Sequence, residues 1–159
     1  MRIKPDYNLK SIYDINLDEL MQKGIKLIVF DLDSTLMISK SANFLPETIE
    51  WLNKVKEMFS IVILSNNYNE KYLDKARAVV DIDIIGAARK PDTRVLLEYL
   101  SDKKISTSEI AIVGDRPLTD ILCGKRLGCI TVLVDSINAE VENKPTRFVR
   151  ILERLIIRK

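Results

Sequence analysis

The sequence predicts an α/β protein with a mostly parallel, five-stranded sheet and helices on both faces, a three-layer Rossmann-like arrangement. Three observations predict it. Five short apolar runs rich in β-branched residues recur at 27–30, 61–64, 82–85, 109–113 and 130–134. Runs of this length, interrupted by a charge only at Asp83 and opening once on Glu109, fit strands buried in a parallel sheet. The segments between them carry apolar residues at helical spacing. Polar residues follow the runs: Asp31 and Asp33 the first, Ser65-Asn66-Asn67 the second, Lys90 the third, Asp115 the fourth. In a parallel sheet all these ends face one edge. For ends one, two and four to meet, strand one must lie between strands two and four. The expected order is 5-4-1-2-3, with the reversal at strand one and the ligand crevice over Asp31.

Taken in order, residues 1–16 are polar and mixed, with Pro5, and read as an arm lying on the domain. Asn16 or Asp18 caps a short helix to Lys23, closed by Gly24, so that arm and helix together fill 1–24. Gly24 and the Val/Phe content of 27–30 favour a strand there. Pro46 opens a helix, a favoured first-turn position, with Ile49, Leu52, Val55 and Phe59 inward. Trp51 shares that spacing and reads as packing. A helix over 69–80 turns Tyr72, Leu73, Ala76 and Val79 inward. After the third strand comes the loop 86–91, and Pro91 starts a helix carrying Val95, Leu96, Tyr99 and Leu100. A helix over 118–127 is stopped by Gly128, and Pro145 opens the last helix, 145–159.

With 159 residues, the chain reads as a single domain, 1–159. A chain of this size buries roughly 68–70% of its unfolded surface. Hydrophobic residues make up 47% and charged residues 30%, which places it among globular rather than disordered or membrane-spanning chains. A net charge of +2 gives no reason to expect a nucleic-acid partner. The two cysteines, Cys123 and Cys129, have no metal-ligand spacing and read as core side chains in a reducing compartment. No signal peptide or bilayer-spanning run is visible, so the expected location is cytoplasmic. There is no histidine, which removes Ser-His-Asp and Cys-His catalysis and His-ligated zinc.

Carboxylates, lysine, hydroxyls and amides remain for chemistry. Several carboxylates crowded at one rim are tolerated around a hard divalent cation, and Mg²⁺ prefers oxygen ligands. A carboxylate beside such an ion can attack phosphorus, and a second can protonate the leaving alcohol and then activate water. Ser65 and Asn66 offer donors for phosphoryl oxygens, and Lys90 a positive charge. Each role in phosphomonoester hydrolysis has a candidate.

Asp31-Leu32-Asp33-Ser34-Thr35, Ser65-Asn66-Asn67, Lys90-Pro91 and Gly114-Asp115-Arg116-Pro117-Leu118-Thr119-Asp120 resemble, in order and register, the four motifs of the haloacid dehalogenase superfamily. A lone D-x-D is weak; four motifs in register are specific. Nearly the whole chain is similar to the small class III phosphatases of the YqeG type, related to the mitochondrial phosphatidylglycerophosphate phosphatase. Lys4-Pro5, Ser11-Ile12-Tyr13-Asp14-Ile15 and the segment 147–154 extend the likeness. The resemblance implies Asp31 as nucleophile and Asp33 as general acid/base. It implies Mg²⁺ held by the Asp31 carboxylate, the Asp33 carbonyl and Asp115, with Asp120 helping to hold the metal or Lys90. Ser65 would bind the phosphoryl group and Lys90 would steady its charge. Asn66 and Thr35 are substrate-binding candidates equally open to structural roles. Ser34, where many relatives have Asn, the Arg116-Pro117 pair and Cys123-Gly124-Lys125 depart from the family pattern and bear on substrate preference.

Neither the span 33–65 nor 65–90 has room for a cap domain, which predicts an open site. An open site suits a bulky substrate, and phosphatidylglycerophosphate is the leading expectation. Small sugar phosphates, nucleotides and phosphoproteins are alternatives. A receiver-type signalling module also has five parallel strands and an acidic pocket, but its phosphorylated Asp follows the third strand. A binding protein that has lost catalysis finds little support, because every presumed catalytic group is present. The last helix gathers Phe148, Ile151, Leu152, Leu155 and Ile156 on one face, beside Arg147, Arg150, Arg154, Arg158 and Lys159. The favoured expectation is that the apolar face packs on the sheet, with weak peripheral contact of the arginines at the inner face of a membrane as an addition.

Overall fold

The computed structural model describes residues 3–137 and 144–157. In chain order it contains β1 (Tyr7–Leu9), α1 (Leu17–Gln22), β2 (Leu27–Phe30), β3 (Met37–Ile38), β4 (Asn43–Phe44), α2 (Pro46–Lys56) and β5 (Ser60–Leu64). It continues with α3 (Glu70–Arg77), β6 (Asp83–Ile85), α4 (Arg94–Leu100), β7 (Ile110–Gly114), α5 (Leu122–Leu127), β8 (Ile130–Val134) and α6 (Lys144–Ile157).

The main sheet has the order β1-β8-β7-β2-β5-β6, every neighbouring pair parallel. The five expected strands stand in the expected order. The correction is a sixth strand. Residues 7–9, read as part of an arm, add to the β8 edge, with Tyr7 opposite Val132 and Leu9 opposite Val134. The Asp6 carboxylate fixes this edge by accepting from the Thr131 backbone N–H and hydroxyl, both at 2.8 Å. Lys125 Nζ donates to it at 2.8 Å. Together these partners outweigh burial, which alone would raise it, and hold the Asp6 carboxyl below its ordinary range.

The strand sequences explain the layers. Side chains alternate across a strand, so Ile28 and Phe30 enter one core with Ile63, Val113 and Val132. Leu27 and Val29 enter the other with Val62, Leu64 and Ile112. The first core is closed by Leu17 and Leu20 of α1, Leu52 and Val55 of α2, and Leu73 and Ala76 of α3. The second is closed by Leu96 and Leu100 of α4 and by Cys123 and Cys129. Both cysteines are free and buried, and burial pushes their thiols up to about 11 and about 12. Each fully buried large side chain is worth about 1.5–3 kcal/mol. Trp51 packs edge-on against Phe30 and Tyr13, with ring centroids 5.8 and 5.9 Å apart.

Local rules set most element ends. The Asn16 side chain caps α1 by accepting from Glu19 N–H, and Gly24 leaves the helix at φ +82. Pro46 is in the first turn of α2, and Gly128 ends α5 at φ 75. Three ends differ from expectation. The helix expected over 69–80 stops at Arg77, and Val79, expected inward, is 46% exposed. Pro91 does not start a helix: the Asp92 N–H bonds the Arg89 carbonyl, making a turn, and α4 begins at Arg94. The helix expected over 118–127 opens instead as a wide π turn, Pro117–Ile121, before α5.

The last helix shows the largest difference. Its polar side meets the domain: Arg116 Nη2 donates to Glu153 at 2.8 Å, and Arg154 Nη1 to Asp135 at 2.6 Å. Phe148, Ile151, Leu152, Leu155 and Ile156 are 45–61% exposed rather than packed on the sheet. Arg158, Lys159 and the side chain of Arg147 lie outside the described residues. Among the described residues no helix is long and apolar enough to cross a membrane.

Candidate active site

The carboxyl ends of β2, β5 and β7 and the loop after β6 converge on one cleft. Asp31, Asp33, Ser65, Asn66, Lys90 and Asp115 line it, together with Ser34, Ser39, Asn67, Arg116, Thr119 and Arg150. β2 lies between β5 and β7, so the sheet's switch point is directly beneath Asp31, where open parallel sheets place ligands.

Lys90 is the centre of the charge arrangement. Its Nζ donates to Asp31 Oδ1 and to Asp120 Oδ1, each at 2.7 Å. The lysine is only 5% exposed and Asp120 1%. Burial alone would lower the Lys90 pKa, but Asp120 and Asp31 outweigh it and raise it, so the ammonium stays charged. Burial and the Asp31 charge push Asp120 up to about 6, against the pull of Lys90. Asp120 also accepts from the Arg116 backbone N–H at 3.1 Å. Gly114 makes room for this carboxylate: a Cβ there would lie 2.3 Å from Asp120 Oδ2.

The Asn66 side chain clamps the Lys90 backbone from both sides. Its Oδ1 accepts from Lys90 N–H at 2.7 Å and its Nδ2 donates to the Lys90 carbonyl at 3.0 Å. The Ser65 hydroxyl accepts from Asn67 N–H at 3.1 Å, which leaves its proton to donate. Thr35 is buried behind the cleft and donates to Asp115 Oδ1 at 3.2 Å; its hydroxyl orients a carboxylate.

Asp33 is held by a flap and a helix. Its Oδ1 accepts from the Tyr72 hydroxyl and, at 3.3 Å, from the Lys40 N–H in the turn between β3 and β4. Burial first, and the nearby Asp31, raise its pKa above the ordinary value despite these donors.

Asp31, Asp115 and Asp120 each present a carboxylate oxygen, and these oxygens lie within 4.8 Å of one another. An all-oxygen anionic set fits a hard divalent cation. Three cleft features do not follow from the sequence pattern. Arg150 donates to Asp115 Oδ2 from α6, Arg116 is pinned by Glu153, and Tyr72 reaches Asp33. Tyr72 had a signal, its helical spacing toward the core. Arg150 depends on which face of α6 docks, which periodicity leaves open.

The fold is an open parallel sheet with a lysine-bridged acidic cleft at its switch point, an arrangement that fits phosphate-ester chemistry. Residues 1–138 match the family model described as mitochondrial PGP phosphatase, PGP being phosphatidylglycerophosphate, and the chain belongs to that family. It is thus a hydrolase of phosphate esters. The chain is 34% identical over 154 residues to a probable phosphatase, YqeG, of Bacillus subtilis, covering 96% of this chain and 88% of that protein. It is 30% identical over 166 residues to phosphatidylglycerophosphate phosphatase 1, chloroplastic/mitochondrial, of Arabidopsis thaliana, and spans 48% of that protein's length. Among solved structures, a p-nitrophenyl phosphatase from Archaeoglobus fulgidus shares the fold with a TM-score of 0.56 at 15% identity, over 79% of this chain and 92% of that one.

Proposed function

We propose that the protein hydrolyses phosphomonoesters through a phospho-aspartate on Asp31. The observation that carries this reading is the Lys90 bridge, which joins Asp31 to Asp120 at the point where the strand ends meet. With Oδ1 of Asp31 engaged by Lys90, its other oxygen attacks phosphorus. The P–O bond to the alcohol breaks as Asp33 passes its proton to the leaving oxygen. Water then attacks the acyl-phosphate, Asp33 takes the water's proton, and inorganic phosphate leaves Asp31. The raised pKa of Asp33 favours the protonated form that the first step needs. The Ser65 hydroxyl donates to a phosphoryl oxygen, and Lys90 offsets developing charge. Asp31, Asp115 and the Asp33 carbonyl would hold Mg²⁺, whose charge would offset that of the phosphoryl group; Asp120 is the fixed anchor for Lys90.

The substrate reading is phosphatidylglycerophosphate. The family description and the Arabidopsis relative's name support it, as does the open cleft. Between β2 and β5 lie only the β3–β4 hairpin and α2, and between β5 and β6 only α3. Asp31→Asn should abolish hydrolysis of a soluble aryl phosphate while the circular dichroism spectrum is unchanged; retained hydrolysis would rule out the mechanism. Wild-type protein should release inorganic phosphate from phosphatidylglycerophosphate in mixed micelles. No release while another phosphomonoester is turned over would remove the substrate reading alone.

A further inference from the structure

The orientation of α6 is unusual for an amphipathic helix on a globular domain. Ordinarily the apolar stripe faces the core. Here the inward side carries Arg150, Glu153 and Arg154, bonded to Asp115, Arg116 and Asp135 respectively. Glu153 is buried, while Phe148, Ile151, Leu152, Leu155 and Ile156 form an outward stripe at i, i+3, i+4, i+7 and i+8. A contiguous apolar stripe of this kind marks an interaction surface.

We propose that α6 is an interfacial anchor that lies on an anionic membrane surface and brings the Asp31 cleft to phosphate groups at that surface. The functional half of this inference rests on the phosphomonoesterase reading above.

Charge selects the occupant. Arg150 and Arg154 are engaged inward by Asp115 and Asp135, and the one acid of the segment 144–159, Glu153, is turned inward against Arg116; the sequence adds four further bases, Lys144, Arg147, Arg158 and Lys159, and no further acid. A second copy pairing through the same stripe would set two such basic segments side by side. An anionic lipid surface is complementary to them. At 14 residues the helix is too short to span a bilayer, but its outward stripe suits insertion along the headgroup boundary. Position supplies the functional link: Arg150 lines the same cleft as Asp31, so a helix lying on the surface holds the cleft beside the headgroups.

The test uses the full chain carrying Asp31→Asn, so that binding is measured without turnover. It is mixed with sedimentable vesicles of phosphatidylglycerol and phosphatidylcholine, and separately with phosphatidylcholine alone. The protein should sediment with the anionic vesicles and several-fold less with the neutral ones. Adding Leu152→Glu and Ile156→Glu should cut anionic-vesicle binding more than about tenfold. In the otherwise wild-type chain the same pair should leave aryl phosphate hydrolysis and circular dichroism unchanged. Phe148→Gln tests the same stripe if the double variant unfolds. Absence of vesicle binding, or binding indifferent to these substitutions, overturns the anchor. A dimer in sedimentation velocity that the double variant converts to monomer also overturns it, by assigning the stripe to a second copy. Failure of wild-type aryl phosphate hydrolysis alongside intact vesicle binding would instead strike the phosphomonoesterase reading.

Discussion

Lys90 sits between two carboxylates, 2.7 Å from each, with almost none of its surface in water. Removing a partner from a buried ion pair costs about 3–5 kcal/mol, because the remaining charge is stranded. Lys90→Met should therefore lower stability by about that amount in urea denaturation and also abolish phosphatase activity. Asn66 acts one step away, through the Lys90 backbone. Asn66→Ala should lower kcat by about 10–100-fold with KM little changed, since it displaces a positioned cation rather than a binding group; steady-state kinetics on an aryl phosphate checks it. The positions of Asp31, Asp33, Ser65, Lys90 and Asp115 on one rim were legible in the sequence, because each follows a strand of the parallel sheet by a few residues. The actual partners of Asn66, Thr35 and Asp120 were not, since one polar side chain can serve a substrate or a neighbour equally well.

At the scale of elements, the five central strands and the helices between them follow from apolar period and from Asn16, Gly24, Pro46 and Gly128. β1 was not legible. Tyr-Asn-Leu is short and mixed, and its pairing is decided by Asp6 binding Thr131 far along the chain. Asp6→Asn should destabilise the protein by about 1 kcal/mol at neutral pH. The Asp6 pKa is lowered in the folded state, so its stabilisation is present above the ordinary value of 3.8 and fades as pH falls through the lower folded value. The gap between wild-type and variant urea midpoints should thus narrow in that acidic window; a gap constant with pH would contradict this origin. Helix α6 was legible as a helix but not in orientation. Periodicity identifies its apolar face, and three ion pairs decide which face meets the domain.

At the scale of the molecule, the chain order places β2 between β5 and β7, and everything else in the cleft follows from that placement. The open rim is a consequence of short connections on both sides of β5, and α6 borders it through Arg150. Acid quenching of the turning-over enzyme, followed by digestion and mass spectrometry, shows whether Asp31 carries the phosphoryl group between substrate and water. The wild-type protein with an aryl phosphate and Mg²⁺ should yield a phosphoryl adduct on the peptide containing Asp31, and Asp33→Asn should retain more of it because hydrolysis of the adduct is slowed. Turnover with no adduct on that peptide in either protein, or with the adduct on another residue, would rule out Asp31 as the phosphoryl carrier.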